Sequence, residues 1–205
     1  RVIPRSATAE RVQAMRAYGA TVVHTGEGED MEDARRLARE MAESRGLFQL
    51  NQFANPRNPE MHYRTTGPEI WRDTEGAVTH FVSAMGTTGT IMGVSRFLKE
   101  RDAGIRIVGT HPAPGARIPG IRRWSPEMIP AIYEPHRVDR VEDVTEDQAV
   151  EMTRRLAREE GILAGMSSGG ALAVALRVAS ELATGTVVFI VCDRGDRYLS
   201  SGLFG

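Results

Sequence analysis

Hydrophobic and polar positions along the chain fall into two alternating periods. Short apolar runs that read as strands lie at 20–25 (ATVVHT), 78–84 (VTHFVSA), 104–112 (GIRIVGTHP), 137–144 (RVDRVEDV) and 186–193 (TVVFIVCD). Between them are segments with helical spacing. The first follows Thr8 as N-cap, places Val12, Met15 and Tyr18 on one side, and ends at Gly19. The second opens on Asp30, carries Met31, Ala34, Leu37, Ala38 and Met41 as an apolar stripe, and closes at Gly46. Residues 65–74 are predicted helical despite Pro68, and 145–161 are bracketed by Thr145 as cap and Gly161 as stop. Residues 164–182 form a Ser/Gly turn opening a nearly all-apolar helix, which must be buried. The run 186–193 is continuously apolar, as expected of a strand at the centre of a parallel sheet covered on both faces. Helices alternating with strands predict an α/β fold with a doubly wound, mostly parallel sheet and helices on both faces.

Two stretches break the rhythm. Residues 47–63 are a short apolar run followed by a Pro/Asn-rich loop, and 111–135 are a long loop rich in Pro, Gly and Arg. Long irregular segments inside compact domains are commonly functional.

The composition narrows the chemistry. With 26 basic and 27 acidic residues the net charge is −1, with no basic block. A nucleic-acid or membrane-surface role is therefore disfavoured, and small-molecule partners are expected. No apolar run approaches a membrane span and no signal-peptide pattern is present, which points to the cytoplasm. The single cysteine, Cys192, excludes an internal disulfide framework. The five histidines show no metal-ligand spacing, and no metal is expected.

Candidate chemistry gathers at the loops after strands, where ligands sit in open α/β sheets. Gly86, Thr87, Thr88, Gly89 and Thr90 bring small side chains, backbone N–H groups and hydroxyls to a helix start. Such a place suits an anion without any Lys or Arg, although a plain strand-to-helix turn has the same spelling. Neither a Walker loop nor a dinucleotide fingerprint is present. A second turn, MSSGG at 166–170, offers Ser167 and Ser168, which alone could be N-caps, and a third, CDRGDRYLSSG, follows the last strand.

Taken in order, AMRAYGA, NQFANPRNPEMHYRTTGPEIW, THFVSAMGTTGTIMGVSRFL, IPGIRRW, EGILAGMSSGGA and CDRGDRYLSSG resemble the cysteine synthase (O-acetylserine sulfhydrylase) group of the fold type II, tryptophan synthase β-like, pyridoxal phosphate enzymes. The spellings GTTGT, IPGIRRW and CDRGDRYLS resemble its B type. The resemblance implies pyridoxal 5'-phosphate as cofactor, its phosphate held by Gly86 to Thr90 and its pyridine nitrogen by Ser167. It implies a substrate site with Gln52, a closing loop with Gly120, Arg122 and Arg123, and Cys192 and Asp193 near the ring. A small structural role for Cys192, and a solvated arginine pair, remain open. It further implies synthesis of L-cysteine or S-sulfocysteine from O-acetylserine and sulfide or thiosulfate by β-elimination and β-replacement, in a homodimer. Residues 1–50 would be the remainder of a smaller N-terminal domain, and 51–205 the larger cofactor-binding domain.

In this group a Schiff-base lysine lies in an early segment that these residues do not match. The chain corresponds to a start about a third of the way into the family's length. Lys99, the only lysine, lies about 14 Å along a helix from the phosphate turn and is expected to be a solvated helix residue. The chain by itself is therefore expected to be inactive, with no catalytic residue of its own. Alternatives are a cystathionine β-synthase-like or serine/threonine dehydratase-like enzyme, or a non-catalytic binding module.

Overall fold

The computed structural model describes residues 1–205. The chain forms two compact units, one of Arg1–Asn51 with Asp196–Gly205 and one of Gln52–Gly195.

In the first unit, β1 (Val2–Ile3) pairs in parallel with β2 (Val23–His24). Helix α1 (Ala9–Ala17) buries no residue, and the expected stripe fails outright at Tyr18, which is 91% exposed. The Thr8 hydroxyl does not cap α1; it donates to the Arg197 carbonyl at 2.7 Å, while Glu10 accepts from the amide and hydroxyl of Ser200. Arg11 meets the hydroxyl of buried Tyr198. Helix α2 (Met31–Arg45) has the expected ends, a capping box between Asp30 and Asp33 and a left-handed Gly46, but of its stripe only Ala34 is buried.

The second unit is built on a four-stranded, all-parallel sheet in the order β5-β4-β3-β6, with β3 Val78–Ala84, β4 Arg106–Pro112, β5 Arg140–Val144 and β6 Thr186–Phe189. Successive strand residues point to opposite faces. Phe81 and Ile107 join the cluster under α5 (Gly89–Arg101), while Val82 and Val108 pack with Val174, Ala175 and Val178 of α7 (Met166–Ser180). Helix α6 (Glu146–Glu160), with a Thr145–Gln148 capping box and a left-handed Gly161, packs on α7. It comes close because Gly169 leaves no Cβ to overlap Thr153 Oγ1 and the Ala149 carbonyl.

Two sequence expectations change here. Strand β6 is an edge strand hydrogen-bonded only to β3, with all four residues half-buried, because an apolar run fixes burial but not the number of neighbours. The Pro/Asn-rich segment contains a helix, α3 (Arg57–Arg64), followed at once by α4 (Thr66–Asp73). Pro59 and Pro68 both fall in a first turn, where the missing N–H costs no intrahelical bond. No helix is long and apolar enough to cross a membrane.

Candidate functional site

Strand β3 delivers the chain to Met85, and the turn Gly86–Thr88 converts it into α5. Thr88 is the N-cap with φ 70°, a left-handed conformation that a β-branched residue rarely takes. Its side chain caps nothing, and its hydroxyl is buried with no hydrogen-bond partner. The first turn of α5 holds no acidic residue. The first four amides of a helix have no intrahelical acceptor and face a positive dipole end. The Gly89 amide donates to Thr87 Oγ1 at 3.3 Å; a strained residue, an orphaned buried hydroxyl and the other helix-start amides together form a neutral cradle that an anion would complete.

The walls of the turn are made of close backbone approaches. A Cβ on Gly86 would sit 2.8 Å from the Gly120 carbonyl oxygen, and one on Gly89 would overlap the Asn58 amide. Gly120, at φ 94°, lies against Ser167 as well: a Cβ there would be 2.8 Å from both Cβ and Oγ of that serine. One glycine therefore joins the anion turn to the start of α7. Ser167 is 2% exposed, and Cys192 stands beside it. The Cys192 amide donates to Ser168 Oγ at 3.0 Å, so Ser168 is committed to the chain and Ser167 is the hydroxyl facing Gly120.

Cys192 is exposed as a residue, not the buried apolar filler its strand suggested. Burial of its thiol nevertheless pushes the pKa up, the Ser167 hydroxyl opposes this, the Asp193 charge adds to it, and the Ser168 hydroxyl opposes it again. The net rise leaves a protonated thiol at neutral pH, which is a poor nucleophile. The backbone carbonyl of Asp193 accepts from Gly165, closing the last strand against the turn before α7.

Gln52 is exposed at the entry to α3, and its carbonyl accepts from Asn58 Nδ2 at 2.8 Å. The same nitrogen donates to Thr87 Oγ1 at 3.1 Å, so the Gln52 turn and the anion turn are tied through one side chain. The loop 118–124 closes over the other side. The Arg122 amide donates to Met85, Trp124 Nε1 donates to the Gly86 carbonyl at 2.8 Å, and Phe53 packs edge-on against Trp124 at 5.3 Å. The arginines do not form a free pair: Arg122 is half-buried and Arg123, although exposed, is ion-paired. Arg122 Nη1 donates to the carbonyls of Ile118 and Ile121, and Arg123 binds the Pro112 carbonyl and Asp143. Lys99 is not a solvated helix lysine either: its ammonium is 2.8 Å from Asp139, with both side chains about three-quarters covered.

A cleft of about 520 Å³ adjoins the turn, lined by His62, Thr66, Thr90 and the end of β6 through Cys192. His62 bridges the hydroxyls of Thr66 and Thr90 at 2.9 and 3.2 Å, and burial holds its pKa below the ordinary value, which keeps the ring neutral. His62, Asn58 and Trp124 had no assigned place in the site from the sequence. Their contacts with the anion turn, Asn58 to Thr87, His62 to Thr90 and Trp124 to Gly86, span 28 to 38 residues, and no local spacing carries that signal.

The sequence profile described as "Pyridoxal-phosphate dependent enzyme" matches residues 2–193. The chain belongs to the pyridoxal-phosphate-dependent enzymes. It is 57% identical over 204 residues to cysteine synthase B of Pseudomonas aeruginosa, covering 99% of this chain and 68% of that protein. It is 53% identical over 204 residues to cysteine synthase B of Escherichia coli, covering 100% and 67%. Its structure is similar to that of an O-acetylserine dependent cystathionine beta-synthase from Helicobacter pylori, with a TM-score of 0.92 and 36% identity over 100% of this chain and 69% of that one. The chain thus spans about two thirds of the length of these members of the pyridoxal-phosphate-dependent enzymes. The fold expected from the resemblance is the fold found.

Proposed function

We propose that this chain is the larger part of a B-type cysteine synthase, which makes L-cysteine from O-acetylserine and sulfide, or S-sulfocysteine when thiosulfate is the donor. The observation that carries the reading is the junction at Gly120, which brings a neutral anion cradle with an orphaned Thr88 hydroxyl beside Ser167. That is the separation of roles a phosphorylated pyridine needs. Gly86 to Thr90 would hold the phosphate through amides and hydroxyls, and Ser167 would meet the ring nitrogen. When bound, pyridoxal phosphate supplies the electron sink for charge developing at the substrate α-carbon. An alcohol is too weak an acid to keep that nitrogen protonated, so Ser167 favours β-elimination over transamination. Gln52 offers an amide donor to the carboxylate or acyl oxygen of the substrate. Arg122 and Arg123, engaged with the chain's own carbonyls and Asp143, act by fixing the closing loop at Gly120. Cys192 and Asp193 flank Ser167, with the protonated thiol serving as a wall.

Lys99, held by Asp139, is not available as covalent anchor or base. On this reading the Schiff-base lysine of the intact protein is not Lys99, and the 205 residues alone are proposed not to turn over substrate. The working protein is a cytoplasmic homodimer on the same reading. The structural neighbour from Helicobacter pylori makes homocysteine the natural competing nucleophile to examine. The test is an assay of the native protein with O-acetylserine and sulfide, thiosulfate or homocysteine in turn, together with its intact mass before and after borohydride reduction. Cysteine formation, and a mass gain of one pyridoxyl phosphate on a protein heavier than 22.5 kDa, are expected. Exclusive use of homocysteine would move the protein to cystathionine synthesis. No adduct and no product would overturn the enzyme reading.

A further inference from the structure

The Asn58 side chain occupies the one position that touches both the anion turn and the turn carrying Gln52. Its Nδ2 donates to the Gln52 carbonyl at 2.8 Å and to Thr87 Oγ1 at 3.1 Å. A backbone carbonyl is an acceptor only, so the amide must face it with nitrogen, which fixes the orientation of the group. The Thr87 oxygen also receives the Gly89 amide at 3.3 Å. A hydroxyl oxygen has two acceptor sites and one proton to donate. Asn58 and Gly89 fill both acceptor sites, and no protein acceptor takes the proton.

We infer that Asn58 is a positioning residue that forces Thr87 to act as a hydrogen-bond donor toward the phosphate of the bound ligand, while its second N–H holds the Gln52 turn in register with it. Thr87 left to itself could present either a lone pair or its proton; with Asn58 in place only the proton faces outward. Gly89 belongs to the same device, since any Cβ there would displace the Asn58 amide.

The inference rests on the reading of Gly86 to Thr90 as a phosphate cradle, and the test separates the two. Equilibrium affinities for pyridoxal 5'-phosphate and for pyridoxal, which lacks the phosphate, are measured by absorbance on the native protein and on its Asn58→Ala and Asn58→Asp variants. Wild type should prefer the phosphorylated ligand strongly. Asn58→Ala should lower that preference about tenfold, the value of a hydrogen bond to a charged group. Asn58→Asp keeps the shape but turns the donor into an acceptor, which claims the Thr87 proton and adds negative charge, so the preference should fall about a hundredfold or more. Pyridoxal affinity should stay within about twofold in all three. A wild-type protein without preference would overturn the cradle reading itself. A preference that survives in both variants, or falls equally for both ligands, would overturn the role of Asn58 while leaving the cradle standing. Loss of the folded circular-dichroism signal in both variants would equally overturn it, showing that Asn58 holds up the fold.

Discussion

At the scale of single residues, Thr88 carries two local costs at once. A β-branched side chain at φ 70° is strained by about 1–2 kcal/mol, and a buried hydroxyl without a partner costs about 1–3 kcal/mol more. Strain and an unpaired buried group at one position are the signature of functional sites. Glycine removes both costs and gives back about 0.5–1 kcal/mol in chain entropy. Thr88→Gly should therefore raise the unfolding free energy of the ligand-free protein by about 1 kcal/mol in urea titrations. It should also weaken pyridoxal phosphate binding about tenfold. A variant less stable than wild type would mean that Thr88 is unstrained and structural. The contrast with Cys192 is instructive: it is reactive by residue type, yet its raised pKa and its place against two serines leave it inert.

At the scale of elements, α5 can approach α3 and α4 only through glycines. A Cβ on Gly93 would overlap the Pro59 carbonyl, and one on Gly67 would sit 2.7 Å from Phe97 Cβ. Gly93→Ala should therefore destabilise the protein by about 1–3 kcal/mol. By moving the helix that carries Asn58, it should also weaken pyridoxal phosphate binding more than pyridoxal binding. Thermal melts and the same pair of titrations check this; unchanged stability would show that the helix contact is soft. The α5 turn was legible as a strand-to-helix junction rich in Gly and Thr, and α2 and α6 through their caps and stops; α7 was legible from its apolar run, its N-cap being Gly165 and not Ser167 or Ser168. The sequence hid what depends on neighbours. The run 186–193 is as apolar as a central strand but has one partner, and α3 was concealed among prolines whose first-turn position is visible only once the helix is known. The pairing of Asn58 with Thr87, 29 residues apart, and of His62 with Thr90 has no local spelling at all.

At the scale of the whole molecule, titration of buried groups sets how stability follows pH. His62 is held below the usual histidine range by burial; His111 is held there by burial first and then by the Arg123 charge, which outweigh the pull of Asp143. The native state therefore takes up these protons at lower pH than the unfolded chain does. Between about pH 6.5 and the lowered native values the unfolded state binds more protons, so stability falls as pH falls through that window and is unaffected above it. His80 is lowered too, by burial first and then by the Arg106 charge against the pull of Glu181; three such groups cap the slope at about 4 kcal/mol per pH unit, less because solvent screens half-exposed His80. Asp139 acts lower down. Burial would raise its pKa, but bonds from Lys99 and the Ile107 amide, with the charges of Lys99 and Arg106, outweigh it and leave the carboxyl below 3.8. Its stabilisation is complete above about pH 4 and is lost only as pH drops through the depressed value. Urea midpoints measured from pH 8 to 3 should thus be flat to about pH 7, decline below about 6.5, and decline again below about 4. In His62→Gln the first decline should lose roughly a third of its slope and the second should be untouched, while Asp139→Asn should remove part of the second alone. A first decline that is equally steep in His62→Gln would place the titrating group elsewhere and would deprive Thr90 of its neutral partner as the source of the pH dependence.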